Sequence, residues 1–380
     1  MTIVDGIDPA TGKGISIEIA DGVIAAIRSA DGKNASYISA GLIDLQVNGF
    51  RGLDLNSGKL TSNTLLSLCE ELLSVGVTSW LPTLITASES SLLSALETIA
   101  NSRCDHRLIE EMVAGLHIEG PSISGEDGPR GAHPLAHVRA PSIAEFERWQ
   151  KVSGGLVKMV TLAPEHDGTL DYIRFLSAHG VVVALGHTAA TPAEIHSAAE
   201  AGATVSTHLG NGASAMLARH PNFIWAQLAD DRLTATLIAD GWHLPADAFK
   251  AMLRAKGIER TILVSDMVAL AGMPAGLYEQ AVGGSVEVSS EGRISIAGTP
   301  YLAGASLPLC ANVAIATAMA EIPLAVALRL ATENPGRLLG GRGRLEVGAR
   351  ADLVRFDWAE GAHALEIRET WVRGEKRFQR

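Results

Sequence analysis

The chain reads as an α/β protein: a (β/α)8 barrel with a small β-sandwich domain built from both chain termini. Three observations predict this. Eight short apolar runs recur between about residues 41 and 335, with helical patterns between them. The runs end in polar residues, and the C-terminal strand ends are where barrels build their sites. Both chain ends read as short strands, and neither end is long enough for a core of its own. Residues 1–40 plus 341–380 are therefore assigned to the small β domain, and 41–340 to the barrel. A doubly wound open sheet is the structural alternative, but no Gly-rich phosphate turn follows the first strand.

In order, ISIEIADGVIAAI carries an Asp21-Gly22 turn between two apolar-rich runs, a hairpin signal. The barrel runs follow: LIDLQV, VTSWLPT, MVAGLHIE, LVKMVTLAPE, VVVALGH, ATVSTHL, LTATLIAD and TILVSD. SNTLLSLCEELLSVG is a helical pattern between the first two. TPAEIHSAAEAG is a capped helix, with Thr191 at the N-cap, Pro192 at the first position, Glu194 closing a capping box and Gly202 past the end. After Asp266, AVGGSVEVSSEGRISIAG reads as an inserted hairpin. From about 343, RLEVG, ADLVRFD and ETWVRGEKRF return to strands, with Gly374 at a turn.

Composition narrows the partners. The 380 residues are 47% hydrophobic and carry a net charge of −11 with no basic run. Nucleic-acid binding is not expected, because the phosphate backbone dominates that affinity; a local anion site stays open. Cys69, Cys104 and Cys310 show no metal or redox spacing and fit a reducing compartment. No signal peptide and no apolar run of about 18 residues is visible, so no membrane partner and a cytoplasmic location are expected.

The chemistry gathers at the strand ends. In GLIDLQVNGF, strand alternation puts Asp44, Gln46 and Asn48 on one face and Ile43, Leu45 and Val47 on the other. Two amides at a strand tip are poor core material, since an unpartnered buried amide costs about 1–3 kcal/mol. Glu119, His187 and His208 each follow an apolar strand directly (LHIEG, ALGHT, STHLG). Alone, a buried His is more often a hydrogen-bonded core residue. Together, at equivalent ends of three strands, the three form a ligand set suited to zinc with one open position. Asp266, in VSDM, is either a helix N-cap or a general base for an attacking water. His243, in ADGWHLP, has the plainer reading of a surface-loop His. His133, in RGAHP, sits in a long Gly/Pro-rich loop of the kind that moves over a site. Arg219 is a candidate anion contact or a solvated charge. Asn211 opens a Gly-rich turn with Gly212, whose backbone N–H groups suit a phosphate or hydroxyl.

These residues and motifs resemble the N-acetylglucosamine-6-phosphate deacetylase family of the amidohydrolase superfamily. The similarity runs over nearly the whole chain: GLIDLQVNGF, GVTSWLPTLIT, GLHIEGP, RGAHP, TLAPE, GHT, THLGN, IADGWH, VSDMVALAGMPAGLY and ATENPGRLLGGRGRLEVGARADLVRFD. Most amidohydrolases carry His-x-His at the end of the first barrel strand, helping to hold a second metal. Here it reads Gln46-Val47-Asn48, as in members that work with one metal. The resemblance therefore implies one divalent ion per chain, with Gln46 and Asn48 bordering the second position. Asp266 matches the base that also protonates the leaving amine, and His133 a residue that polarises the amide carbonyl. Asn211, with Gly212 beside it, and His243 match sugar-phosphate contacts. Arg219 matches a phosphate-binding arginine supplied by the neighbouring subunit, which implies a homodimer. The implied activity is hydrolysis of the N-acetyl group of N-acetylglucosamine 6-phosphate.

The chain also departs from that family. It has Gly210-Asn211-Gly212-Ala213 where an aromatic residue commonly precedes the Asn and Ala-Met follows it. It has Ser265-Asp266-Met267 for the commoner Thr-Asp-Ala, and LAGASLPLC after the insertion. These changes touch the substrate pocket. They leave open another N-acyl substrate, with or without phosphate. A ligand-binding barrel without catalysis would need a lost base or ligand, and none is lost.

Overall fold

The computed structural model describes residues 1–32, 35–280, 284–299 and 301–380. Eight strands form one parallel sheet in chain order: Leu42–Val47, Val77–Ile85, Leu116–Glu119, Val157–Leu162, Val182–Leu185, Val205–Ser206, Thr234–Leu237 and Thr261–Leu263. Each coincides with or overlaps one of the eight apolar runs, the second strand running two residues past VTSWLPT. The first and eighth meet just beyond the last strand's hydrogen-bonded ladder. Asp266 N donates to the Gln46 carbonyl at 3.0 Å, and Asn48 N donates to the Met267 carbonyl at 2.9 Å. The barrel thus closes at the tip where the polar strand ends lie. No helix among the described residues is long and apolar enough to cross a membrane.

Two apolar layers hold the barrel. Its interior is filled by Ile43, Leu45, Leu81, Met159, Ala184, Val205, Ile238, Ile262 and Val264, drawn from seven of the strands or their ends. The outer layer joins strands to helices, for example Leu42, Val47 and Trp80 against Leu65, Leu68 and Leu72 of the helix Ser62–Ser74. The helix Pro192–Ala201 has the expected capping box.

The first strand departs from simple alternation. Ile43 and Leu45 face the barrel interior, whereas Val47 packs in the outer layer. The pairing register with the second strand shifts between Asp44 and Val47. An extra residue in a strand reverses the faces beyond it. Gln46 and Asn48 therefore turn inward at the barrel mouth, although Ile43 and Leu45 also point inward below them.

The chain termini form a seven-stranded sheet. Thr2–Ile7, Gly14–Ala20, Val23–Ser29 and Tyr37–Ala40 join Leu353–Asp357, Glu366–Val372 and Glu375–Gln379, with Tyr37–Ala40 paired to Leu353–Asp357. The Asp21-Gly22 turn has both residues at positive φ, 51° and 78°, as a two-residue hairpin of this twist requires. The sheet folds over its own core, Val4, Ile17, Ile24, Ile38, Leu353 and Trp371. RLEVG forms no strand. It turns instead, so that Gly348 N and the Ala349 carbonyl bond Ile24 at the sheet's free edge. The insertion after Asp266 is a three-stranded antiparallel sheet, Gly276–Gln280, Gly284–Val288 and Ile294–Ile296, one strand more than a hairpin. Residues 281–283 of the expected hairpin lie outside the described residues.

Candidate metal centre and active site

Three strand ends bring a carboxylate and two imidazoles to one point. Glu119 Oε1 lies 3.0 Å from His208 Nε2 and 3.2 Å from His187 Nε2, and the two Nε2 atoms are 3.1 Å apart. Glu119 and His208 are 2% exposed and His187 8%. His187, His208 and Asp266 have positive φ, 50°, 27° and 51°. Such backbone costs about 1–3 kcal/mol per residue and persists where surrounding structure imposes it. Here each sits where a strand must turn its last side chain into the mouth.

The donor set fits a divalent ion. Ligands about 2.0–2.1 Å from a tetrahedral zinc lie roughly 3.3 Å from one another, close to the separations above. The protons fit as well. His187 Nδ1 lies 2.8 Å from the Pro129 carbonyl, which only accepts, so Nδ1 carries the proton. In the neutral ring Nε2 is then a bare lone pair facing a carboxylate oxygen. Two acceptors at that distance repel unless a cation lies between them. With no cation between them the same contacts would need protonated rings. Burial then pushes the Glu119 carboxyl up, but hydrogen bonds and charge from those rings outweigh it and hold it well below the usual range. His133 is also near: its ligand atom lies within 4.8 Å of those of Glu119 and His187.

Gln46 and Asn48 sit beside this cluster. Gln46 Nε2 donates to Glu119 Oε1 at 2.9 Å, and Asn48 Nδ2 donates to Asp266 Oδ1 at 2.8 Å. Burial, then the negative charge of Glu119, pushes the Asp266 carboxyl up to about 6. Burial, then the charge of His187, pushes His133 down to about 3, so its ring is neutral. His133 Nδ1 is 2.9 Å from the Thr86 hydroxyl.

A cavity of about 850 Å³ opens over these groups. Asn48, Glu119, His133, His187, His208, Asn211, Gly212, His243 and Asp266 all line it, together with Val268, Val286, Ile296 and Leu302 from the insertion and its flanks. His243 is no loose surface side chain. Asp240 accepts from the His243 backbone N–H at 2.8 Å and lies 2.7 Å from its Nδ1. Arg219 is exposed and does not line the cavity, whose described lining contains no Lys or Arg.

Several residues escaped the sequence reading. His117, two residues before Glu119, lies inside the barrel with Nδ1 3.1 Å from the Leu45 carbonyl and Nε2 2.7 Å from the Thr161 hydroxyl. Thr161 meets Thr207, the residue before His208, at 2.7 Å. Glu165 accepts from the Thr188 hydroxyl at 2.6 Å and from Ala189 N at 2.8 Å, bracing the turn after His187. Glu165 is legible in the sequence as the polar residue that closes the apolar run LVKMVTLAPE, although its strand stops at Leu162; only its role stayed hidden. Thr86 and Pro129 carried no signal, because a hydroxyl or carbonyl in a loop is not informative by type.

Residues 37–377 match the amidohydrolase family. The chain belongs to the amidohydrolase family. This amidohydrolase is 35% identical over 367 residues to the N-acetylgalactosamine-6-phosphate deacetylase of Escherichia coli O157:H7, covering 94% of this chain and 93% of that one. It is 32% identical to the N-acetylglucosamine-6-phosphate deacetylase of Bacillus subtilis (strain 168), covering 84% and 80%. The N-acetyl-D-glucosamine-6-phosphate deacetylase of Mycobacterium smegmatis superposes with a TM-score of 0.88 at 30% identity, covering 99% of this chain and 100% of that one. A mutant of that enzyme in complex with N-acetyl-D-glucosamine-6-phosphate superposes at 0.85 with the same identity, covering 96% and 94%.

Proposed function

We propose that this chain is a metal-dependent hydrolase that converts N-acetylglucosamine 6-phosphate to glucosamine 6-phosphate and acetate. The Glu119, His187 and His208 cluster beneath the cavity, with Asp266 at its rim, carries the reading. We assign one divalent ion, zinc, to Glu119, His187 and His208. When bound, it supplies a Lewis acid that polarises the amide carbonyl and acidifies water.

The chain's own residues account for the proton transfers. Asp266 accepts a proton from the attacking water as a C–O bond forms at the acyl carbon. It returns that proton to the nitrogen as the C–N bond breaks, releasing the amine and acetate. Asn48 occupies one carboxylate oxygen of Asp266 and leaves the other for this work. His133 polarises the carbonyl if its Nε2 carries the proton, which requires the Thr86 hydroxyl to donate to Nδ1. Asn211, Gly212 and His243 contact the sugar phosphate.

The described cavity lining, which contains no Lys or Arg, supports a cation brought by a second copy, and Arg219 is our candidate. Met216, Leu217 and Trp225 on the same segment are exposed, as a buried homodimer face would require in one chain alone. Every cavity-lining residue falls within 41–340, which supports assigning catalysis to that part and the terminal sheet to a separate domain. A substrate trapped by its phosphate charge supports a cytoplasmic place of action.

The relative that acts on the galactosamine phosphate favours a second reading, the 4-epimer of the same sugar. Amine release is to be measured from N-acetylglucosamine, N-acetylgalactosamine and their 6-phosphates, alongside the metal content of the same protein. The expected result is highest kcat/KM on N-acetylglucosamine 6-phosphate with about one zinc per chain. Higher kcat/KM on the galactosamine phosphate selects the second reading. No hydrolysis of any of the four by metal-loaded protein defeats both.

A further inference from the structure

One barrel strand sends a side chain to the backbone of another two places away. His117, on the strand Leu116–Glu119, is 1% exposed, and its Nδ1 lies 3.1 Å from the Leu45 carbonyl. The strand Val77–Ile85 stands between the two in the sheet. A carbonyl in a regular ladder points at the neighbouring strand, out of reach of a side chain beyond it. The Leu45 carbonyl is released because the ladder with Val77–Ile85 pairs Asp44 with Trp80 and Val47 with Pro82, and skips Leu45 and Gln46. Backbone groups freed at the skip find other partners. The Gln46 carbonyl accepts from Asp266 N at 3.0 Å, and Val47 N donates to the Thr83 hydroxyl at 3.1 Å. The Leu45 carbonyl takes His117, and since a carbonyl only accepts, Nδ1 carries the proton. The other edge of the ring is held too. Nε2 lies 2.7 Å from the Thr161 hydroxyl, which lies 2.7 Å from that of Thr207.

We propose that His117 is a positioning residue for the reaction: its bond to the Leu45 carbonyl holds the first-strand bulge that aims Gln46 at Glu119 and Asn48 at Asp266. The inference rests on the roles given to Glu119 and Asp266 above. A buried carbonyl outside a ladder needs a donor. Without His117, the nearest supply of donors is the ladder itself, and re-pairing there takes up the extra residue. Strand side chains alternate with period two, so a slip of one residue turns Gln46 and Asn48 away from the mouth. Bulges commonly re-aim side chains beside active sites in this way. His117 and Glu119 are two residues apart on one strand and face the same side. The strand that supplies the proposed metal ligand therefore also sets the amide that bonds it.

The test separates the two edges of the ring. Nδ1 of His and the amide nitrogen of Asn both hang one bond beyond Cγ, so His117→Asn keeps a donor for Leu45 and loses the contact with Thr161. His117→Gln carries its amide one bond further out, where Nε2 stands, and loses the bond to Leu45. Kinetics on the preferred sugar phosphate, zinc content and crystal structures of the metal-free proteins are compared. His117→Gln is expected to lower kcat roughly tenfold or more with little change in KM, the loss expected of Asn48→Ala. His117→Asn is expected to retain most of kcat. Adding Asn48→Ala to His117→Gln should cost little more, whereas adding it to His117→Asn should cost its full factor, because residues that act through one another are non-additive. A merely structural role would leave the effects additive. In metal-free crystals of His117→Gln, the Gln46 amide should have left Glu119. Full kcat in His117→Gln, an additive cycle, or Gln46 still bonded to Glu119 overturns the proposal. Where His117→Gln does not fold, His117→Asn decides: kcat near the wild type supports the proposal, and a large loss of kcat or failure to fold overturns it. A wild type that hydrolyses none of the sugars defeats the proposed function instead, and the position of Gln46 in the crystals still decides this inference.

Discussion

Asn48 Nδ2 donates to Asp266 Oδ1 at 2.8 Å across the seam where the first and eighth barrel strands meet. The residues are 218 apart in sequence, and the bond joins the altered first-strand motif to the proposed base. Gln46 makes the matching bond to Glu119. The two amides are thus held by carboxylates rather than left over. Removing one side of a hydrogen bond to a charged group costs about 1.5–3 kcal/mol. Asn48→Ala is expected to lower kcat by roughly tenfold or more and to keep its zinc. Steady-state kinetics and elemental analysis on one preparation check this, and an unchanged kcat would remove Asn48 from the mechanism.

Asp266→Asn tests the base. The substitution keeps shape and removes the proton acceptor. Turnover should fall by about 10²–10⁴-fold, the usual worth of general acid–base work, with metal content and melting temperature close to the wild type. Near-normal turnover with metal retained would assign the base to another group.

Arg219 tests the phosphate and the dimer together. An Arg–phosphate pair is charge-assisted and often bidentate. Arg219→Ala should lower kcat/KM on the 6-phosphate roughly ten- to a hundredfold and barely change it on the unphosphorylated sugar. If the arginine comes from a partner, mixing Arg219→Ala with Asp266→Asn chains should restore activity. One site of the mixed dimer then has an intact base and an intact arginine. A mixture no more active than the sum of its parts argues that Arg219 serves its own chain or none.

Asp44 supplies a pH test. It is fully buried, its Oδ1 accepts from Ser265 N at 3.2 Å and Gln46 N at 3.3 Å, and burial pushes its carboxyl up to about 7. An unfolded Asp titrates near about 3.9. Between those values the folded chain keeps a proton that the unfolded chain has lost. This contribution to stability is therefore complete below about pH 4 and is lost as pH rises through about 7. It amounts to at most roughly 4 kcal/mol. Wild-type melting temperature should fall more between pH 5 and pH 8 than that of Asp44→Asn. Parallel profiles for the two proteins would show that Asp44 does not titrate in that range.

The sequence by itself determined the eight-stranded parallel barrel, the sheet built from the termini, and the strand-end positions of Glu119, His187, His208 and Asp266. All of these follow from local pattern. An apolar run sets a strand, and a polar residue straight after it lands at the mouth whatever the rest of the chain does. Only the tertiary structure decided which way the first strand's amides point. Local alternation cannot show a register shift against a neighbouring strand, and that shift turned Gln46 inward on the same side as Ile43 and Leu45. It also decided that RLEVG turns to meet Ile24, because a strand there would need a partner the sequence does not name. The bonds of the Pro129 carbonyl to His187 and of the Leu45 carbonyl to His117 were equally hidden. A carbonyl acts through what it touches, and what these two touch lies in another strand or loop.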